Sequence, residues 1–130
     1  MKITMDEYTE NALRTEQCDY DSVQSRLRNN CKTRLLHAAL GLTTESGEFA
    51  DAIKKNIFYG EKLDSVNLQE ELGDLLWYIV IGANAIGVSL EEIAAKNIAK
   101  LKVRYPDKFK ESKAIDRDLD SERETLEGKK

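Results

Sequence analysis

The chain has 130 residues, enough for one domain with its own core and too few for two ordinary domains. Apolar residues make up 41% of it and charged residues 34%, so a soluble globular protein is expected rather than a disordered one. The formal net charge of −4 argues against a protein that binds the backbone of DNA or RNA.

Neither the cysteines nor the apolar segments indicate a zinc site or a membrane anchor. Cys18 and Cys31 lie outside any CxxC pattern and the chain has one histidine, so a Cys/His zinc site is excluded and reduced thiols are expected. The most apolar stretch, Leu75–Leu90, is shorter than the roughly 20 residues that span a bilayer. The N-terminus has no apolar signal core. We therefore expect a cytoplasmic protein without membrane partners.

The first half of the chain predicts two main helices. Thr4–Glu7 forms a capping box, and the first helix is expected to end near Gln17. A short helical piece over Ser22–Arg28 is an option in the polar segment that follows. The second long helix is predicted over Thr33–Phe58, with Gly60 in the C-terminal position that glycine favours. This helix is apolar nearly all round, so it is expected to be largely buried.

Two more helices and a charged tail complete the expected organisation. The third helix is predicted from Asn67 to about Ile86, where Gly87 breaks it. Ser89 opens a capping box for the fourth helix, which stops at Tyr105-Pro106. Fifteen of the last 25 residues are charged, so 107–130 is expected to be a partly helical or disordered tail on a domain of residues 1–106. The fold class is therefore all-α, with four main helices.

Two pairs of acidic side chains lie in the two most apolar helices. The pairs are Glu45 with Glu48, and Glu71 with Asp74. Residues at i and i+3 share a helix face, with Cβ atoms roughly 5–6 Å apart. Four close carboxylates repel one another, and a hard divalent cation is the natural compensation. All-oxygen ligation favours Mg²⁺ or Mn²⁺, and Mg²⁺ often takes further ligands from substrate phosphates, which indicates nucleotide chemistry.

A cationic face follows in the fourth helix. Asn97, Lys100 and Arg104 are spaced i, i+3 and i+7, so they share one side of the helix. Lys and Arg side chains bind phosphate oxygens, which makes this face a candidate for contacts with a triphosphate. The same spacing is equally typical of an ordinary solvated helix face.

Three further side chains are candidates for contacts with substrate because they lie on or near the acidic faces. His37 and Lys55 fall near the face of the first acidic pair, and Tyr78 falls between the members of the second pair, one turn further on. A histidine or a tyrosine at such a position is more often a core or interface residue. Both interpretations stay open on the sequence.

The acidic motifs resemble those of a known family. Glu45-Ser-Gly-Glu48, 22 further residues and Glu71-Leu-Gly-Asp74 are similar to the E-x-x-E and E-x-x-D signature of the MazG-like, all-α nucleoside triphosphate pyrophosphohydrolases. The segments LLHAALGLTTESGEFADAIKK, EELGDLLWYI and NIAKLKVRYPDKF are similar to small single-domain members, including those of phages. The resemblance covers about residues 5 to 120.

The resemblance implies an activity and an assembly. The expected reaction is Mg²⁺-dependent hydrolysis of a ribo- or deoxyribonucleoside triphosphate to the monophosphate and pyrophosphate, with Mn²⁺ as a substitute ion. By resemblance the four acids would ligate the metal, and the three residues of the cationic face would bind phosphates. Metal-activated water would attack a phosphoanhydride, and Glu45 or Glu48 would accept its proton. The base preference stays open, and a phage-encoded member would act in the host cytoplasm.

Self-association is expected for two reasons. The third helix is apolar on more than one side from Leu75 to Ile86, and four helices cannot cover all of that surface. The small members of the family that the chain resembles are typically dimers or dimers of dimers, so a homodimer or homotetramer is expected. The predicted fold is thus an oligomeric, MazG-like four-helix bundle with a charged tail.

Two other classes of protein share features with this sequence. A carboxylate-bridged di-iron bundle usually carries Glu-x-x-His pairs, and His37 does not stand three residues after a glutamate. A helical interaction protein without enzyme activity, such as an antitoxin or an adaptor, is the alternative. It would show no metal-dependent stabilisation by nucleotides.

Overall fold

The computed structural model describes residues 2–129, and all regular secondary structure in that range is helical. In chain order the helices are α1 (Met5–Leu13), α2 (Tyr20–Leu27), α3 (Asn30–Tyr59), α4 (Ser65–Ala85), α5 (Leu90–Arg104), α6 (Glu111–Ile115) and α7 (Leu119–Leu126). The prediction of an all-α protein is confirmed. The four main helices are accompanied by three shorter ones, and α2 lies where a short helical piece was an option.

Capping signals set several helix boundaries where the sequence places them. Thr4 and Glu7 form the complete capping box at the start of α1. The hydroxyl of Ser89 accepts a hydrogen bond from a backbone amide in the first turn of α5. α3 ends directly before Gly60, whose φ of +74° is a left-handed conformation that glycine adopts at no steric cost.

Three other boundaries differ from the predicted ones. α1 ends at Leu13 instead of near Gln17, because the next amides bond three residues back and close the chain into turns. α3 begins three residues early, because the side-chain oxygen of Asn29 accepts a hydrogen bond from a backbone amide in the first turn of the helix. α4 begins two residues early, at Ser65, because the Asp64 carboxylate accepts hydrogen bonds from two backbone amides of the first turn. Such caps satisfy donors that have no partner inside a helix.

The chain divides into two compact units at residue 33. The first unit holds α1, α2 and the start of α3, and α1 and α2 contain no buried residue. The second unit begins at Arg34 and holds the rest of α3 together with α4 to α7. All four acids and all six other candidate site residues lie in the second unit.

Within the second unit, α3 and α4 pair in antiparallel fashion. Arg34 near the start of α3 donates a hydrogen bond of 2.8 Å to the side chain of Asn84 at the end of α4. One turn further along α3, Ala38 lies opposite Gly82, where an added Cβ would come within 3.6 Å of the alanine methyl. Small residues on both helices therefore let the backbones approach closely.

At Gly41 the Tyr78 ring of α4 packs directly against the backbone of α3. A Cβ built on this buried glycine would lie 2.1 Å from the Tyr78 ring, so the aromatic ring occupies the space that any other residue would need. Tyr78 stands one turn after Asp74, and its packing on Gly41 therefore fixes how α4 presents its acidic face to α3.

We expect Gly41→Ala to destabilise the protein by about 1–3 kcal/mol, because the added methyl forces the Tyr78 ring out of its place. Gly47→Ala is the matched control, since nothing lies within 4 Å of a Cβ there. Alanine favours a helix over glycine by up to about 1 kcal/mol, so the control is expected to unfold no more readily than the original chain. Chemical denaturation measures both, and equal stability of the two variants would contradict the close approach.

The expected deep burial of the second long helix is wrong for a single chain. Only Ala38 and Gly41 of α3 are buried, and Leu40 is 60% exposed. On α4, Leu76 and Trp77 are 59% and 54% exposed. One α3–α4 pair covers a single stripe on each helix, and the remaining apolar faces have no neighbouring helix to cover them.

The expected four-helix bundle is not confirmed in the described chain, because α5 does not continue the pairing of α3 with α4. α4 and α5 are bent by 97° at their junction. No single helix of residues 2–129 is long and apolar enough to span a bilayer; α4 and α5 would be so only when taken together.

The charged tail is helical and docked. α7 packs along α5, and Glu122 of α7 is only 3% exposed. Arg104 of α5 donates two hydrogen bonds of 2.7 and 2.6 Å to the Glu122 carboxylate, and Arg117 donates another of 2.7 Å. Arg104 first and Arg117 second lower the pKa of Glu122 to about 2. The ionised carboxylate therefore joins the tail to α5.

Docking of the tail is expected to weaken in acid. Because the pKa of Glu122 falls from its ordinary value of 4.5 to about 2 on folding, its contribution to stability is complete above pH 4.5. That contribution is lost as the pH drops towards 2. Glu122→Gln should remove this pH dependence and speed hydrogen exchange in α7 at neutral pH, because two guanidinium groups lose their charged partner.

The control for the tail is Asp120→Asn, which alters an exposed carboxylate of the same helix. It should leave both the exchange rate of α7 and its acid sensitivity unchanged. Equal exchange in the Glu122 and Asp120 variants would show that the buried ion pair does not hold α7 in place.

Candidate metal and nucleotide site

Three carboxylates meet between α3 and α4. Glu45, Glu71 and Asp74 each offer an oxygen, and these oxygens lie within 4.8 Å of one another. Glu71 is 5% exposed, whereas Asp74 is open to solvent and Glu45 is half-buried. The i, i+3 spacing on α4 turns both of its acids towards α3. We call Glu45, Glu71 and Asp74, together with the adjacent Glu48, the carboxylate cluster.

The negative charges of the neighbouring carboxylates act on Glu48. Glu71 first and Glu45 next raise its pKa, with smaller contributions from burial, from Asp74 and from Glu70. Like charges that lie close together disfavour the ionised form. Five carboxylates therefore share one region of α3 and α4.

Two polar side chains that the sequence motifs do not single out orient the cluster. The amide of Asn67 donates a hydrogen bond of 2.7 Å to Glu71 Oε1, and the hydroxyl of Thr44 donates one of 3.1 Å to Glu45 Oε1. Asn67 stands one turn before Glu71 on α4, and this i, i+4 spacing of two polar residues is the signal that was available. Each contact leaves the second carboxylate oxygen available to a ligand.

The chemistry of the cluster suits a hard divalent cation. Every donor is a carboxylate oxygen, and the three oxygens of Glu45, Glu71 and Asp74 are close enough to share one ion. Hard cations of this kind take oxygen ligands. A bound cation would also relieve the repulsion that raises the pKa of Glu48.

An aromatic group lies beside the cluster. The ring of His37 meets the Tyr78 ring edge to face at a centroid distance of 5.5 Å and the Trp77 ring at 6.1 Å. Trp77 and Tyr78 are themselves 4.8 Å apart. The structure thus brings two of the candidates for substrate contacts together, His37 and Tyr78, one turn from Asp74.

Lys55 lies towards the other end of the α3–α4 pair. Its ammonium group forms an ion pair of 2.7 Å with Asp51, and this contact raises the pKa of the lysine. A polar cavity of about 170 Å³ opens here, lined by Ala52, Lys55, Glu61, Lys62, Asp64 and Asn67. Because Asn67 also binds Glu71, the cavity adjoins the cluster, and Lys55 is on its wall.

The cationic face of α5 is far from the cluster of its own chain. Asp74 stands eleven residues before the end of α4, and Lys100 stands ten residues after the start of α5. At 1.5 Å per residue, and with the 97° bend between the helices, the two backbones are separated by on the order of 20 Å. Arg104 lies farther still and is engaged by Glu122. The structure does not bring Asn97, Lys100 and Arg104 to the carboxylates of the same chain.

Comparison with known proteins identifies the domain. Residues 34–109 match the family model of the MazG nucleotide pyrophosphohydrolase domain. Gene 37 protein of Mycobacterium phage L5 is 36% identical over 76 residues, which cover 54% of this chain and 65% of that protein. Uncharacterized protein YpjD of Bacillus subtilis (strain 168) is 37% identical over 73 residues, covering 52% of this chain and 64% of that protein.

The chain spans slightly less than two thirds of the length of these two relatives, and no solved structure matches it. The matched segment begins at Arg34, where the second unit begins, and includes all of α4 and α5. It also contains the whole carboxylate cluster. On the extent of this match, the chain belongs to the MazG nucleotide pyrophosphohydrolase domain family.

Proposed function

We propose that the protein hydrolyses a nucleoside triphosphate to the monophosphate and pyrophosphate with Mg²⁺ as its cofactor, for which Mn²⁺ can substitute. One observation carries the proposal: three carboxylate oxygens from α3 and α4 lie within 4.8 Å of one another, inside the segment that matches the MazG family. Such a cluster is suited to a divalent cation, and a triphosphate is a substrate whose charge a cation would help to hold.

The carboxylates have two proposed roles, binding the cation and accepting a proton. Glu45, Glu48, Glu71 and Asp74 would hold the cation, which would neutralise phosphate charge and lower the pKa of water when bound. Asn67 keeps Glu71 in position through its 2.7 Å hydrogen bond. Glu45 and Glu48 are the candidates for accepting the proton of the attacking water, because both belong to α3 and lie opposite the acids of α4.

The remaining candidates would bind substrate. Tyr78 stands one turn after Asp74 and its ring meets that of His37, so both are candidates for contacts with the nucleoside. Lys55 lines the polar cavity beside Asn67, where it would meet phosphate oxygens after exchanging its partner Asp51. Lys100 and Arg104 are proposed as further phosphate ligands together with Asn97.

We further propose that the protein works as a homo-oligomer in the cytoplasm, or in the host cytoplasm if a phage encodes it. The exposed apolar side chains of α3 and α4, Leu40, Leu76 and Trp77 among them, support self-association. No nucleic acid or membrane partner is proposed, since the net charge is −4 and the cluster is acidic.

The test is a panel of the canonical ribo- and deoxyribonucleoside triphosphates, each with Mg²⁺, read by monophosphate and pyrophosphate release. Hydrolysis of at least one triphosphate, lost when a chelator removes the metal and restored by Mg²⁺ or Mn²⁺, is the expected result. Release of orthophosphate and a diphosphate would contradict the proposed bond cleavage. No turnover, combined with no metal-dependent stabilisation by any nucleotide, would favour a helical interaction protein.

A further inference from the structure

The carboxylate cluster lies in the middle of the line along which α3 and α4 face each other. At one end of this line the Tyr78 ring packs on Gly41, and at the other end Lys55 and Asn67 line the same polar cavity. Glu48 and Lys55 are seven residues apart, so they lie on one face of α3, two turns or about 10 Å from each other. The α3–α4 pair therefore has an aromatic end, an acidic middle and an end with lysines.

We propose that this cavity binds the β- and γ-phosphates of the triphosphate, with Lys62 and Lys55 as their ligands. This inference rests on the proposed function and deepens it, because it assigns a direction to the substrate, with the nucleoside towards Tyr78 and the terminal phosphates towards the loop between α3 and α4. The cavity volume of about 170 Å³ is several times the roughly 30 Å³ of one water molecule. Its lining side chains carry charged, amide or methyl groups, which suit phosphates better than a base.

The cavity adjoins the carboxylate cluster directly. Asn67 lines the cavity and donates the 2.7 Å hydrogen bond to Glu71 Oε1, so the most buried acid of the cluster borders it. A phosphate chain that is bound at the cluster can therefore continue into the cavity. There its oxygens would meet lysine ammonium groups, which bind phosphate as point charges.

Lys62 is the available cation on the wall of the cavity. It is exposed, and it forms no ion pair with any residue in the range 2–129. Its loop is held on both sides: the Glu61 carbonyl accepts a 2.7 Å hydrogen bond from Asn56, and the Asp64 carboxylate accepts hydrogen bonds from two amides of α4. A lysine on a loop that is already fixed pays little extra ordering entropy when it binds a phosphate.

Lys55 can exchange its present partner for a phosphate. Asp51 pairs with both Lys54 and Lys55, so it keeps one cation when Lys55 turns away. The side chain of Lys55 is 48% exposed, and ion pairs of this kind contribute little to stability. Glu61 also lines the cavity and would repel a bound phosphate, so removal of its charge has an expected effect opposite to the loss of a lysine.

The test is the binding of pyrophosphate, which requires no turnover. Calorimetric titration of pyrophosphate in the presence of Mg²⁺ compares the original protein with Lys62→Ala. The variant is expected to bind pyrophosphate about 10-fold more weakly, because one charge-assisted hydrogen bond is missing. The canonical nucleoside monophosphates lack the two terminal phosphates, and the affinity of any that bind is expected to be unchanged.

Two further variants separate a local contact from a general effect of charge. Lys110→Ala removes the same charge from an exposed lysine outside the segment that matches the MazG family, and it should leave the affinity for pyrophosphate unchanged. Glu61→Gln should tighten binding by about 2- to 5-fold, because a repulsive charge leaves the wall of the cavity. Circular dichroism checks that the helical content of all three variants is kept.

The outcomes distinguish the phosphate subsite from the proposed reaction. Equal pyrophosphate affinity of Lys62→Ala and Lys110→Ala, an equal loss for the monophosphates, or no pyrophosphate binding by the original protein overturns the subsite even where a triphosphate is cleaved. Weaker pyrophosphate binding by Lys62→Ala without cleavage of any triphosphate would refute the reaction and leave the subsite standing. Where a triphosphate is cleaved, Lys62→Ala is expected to raise its KM about 10-fold and to change kcat by less than about 2-fold, since the contact is made before and during the reaction.

Discussion

Glu48→Gln and Asp74→Asn are each expected to reduce triphosphate hydrolysis by about 100-fold or more while the helical fold is kept. Each amide removes one negative charge from the group that holds the cation, and losses of this size are typical when a preorganised charge is removed from an active site. The measurement is kcat/KM at saturating Mg²⁺, together with helical content from circular dichroism.

Glu48→Gln should lower activity but keep or raise the stability of the metal-free protein. The pKa of Glu48 is raised by Glu71 and Glu45, so its ionised form is disfavoured in the fold and the neutral amide relieves that repulsion. Glu48→Gln should therefore unfold at an equal or higher temperature without metal, and gain less from added Mg²⁺. Glu70→Gln is the control, since Glu70 makes the smallest contribution to that pKa. Unchanged turnover in both cluster variants would refute the assignment of the site.

Ile79→Asp is expected to split or unfold the oligomer and to abolish activity without altering any member of the carboxylate cluster. Ile79 is 38% exposed on α4, among apolar side chains that one chain leaves uncovered. A carboxylate buried in an apolar interface without a partner costs several kcal/mol. Light scattering at micromolar concentration, run beside the activity assay, should show smaller or unfolded species.

The same substitution at a distant site gives the control. Ile115 is 73% exposed in α6, and Ile115→Asp should leave both the oligomer and the activity unchanged. If the original protein is an active, stable monomer at micromolar concentration, the proposed assembly is refuted. A monomer without activity would leave the proposed reaction to be tested at higher protein concentration.

Most local features of this fold could be predicted because neighbouring residues determine them. Two helix starts are set by caps that bond free backbone amides within four residues, the Thr4–Glu7 capping box and the Ser89 cap. Gly60 ends α3 through its left-handed backbone conformation. Where the predicted boundaries were wrong, another local side chain provided the stronger cap, as Asp64 does for α4.

The candidate site could be predicted only in part. The i, i+3 spacing places Glu71 and Asp74 on one face, and the antiparallel pairing of the helices brings Glu45 to them. Asn67, which orients Glu71, was missed because a lone asparagine on a helix carries little signal. The ion pair of Arg104 with Glu122 could not be predicted, since the two residues are 18 positions apart and no sequence pattern links them.

The sequence by itself determined that the chain is helical, where its helices begin and which acids share a face, because these depend on backbone hydrogen bonds and side-chain spacing within a few residues. Only the tertiary structure decided that Tyr78 packs on Gly41, that Glu122 joins the tail to Arg104, and that α5 leaves α4 at 97°. These contacts join distant segments, and their energies depend on shape and burial, which arise only once the chain has folded.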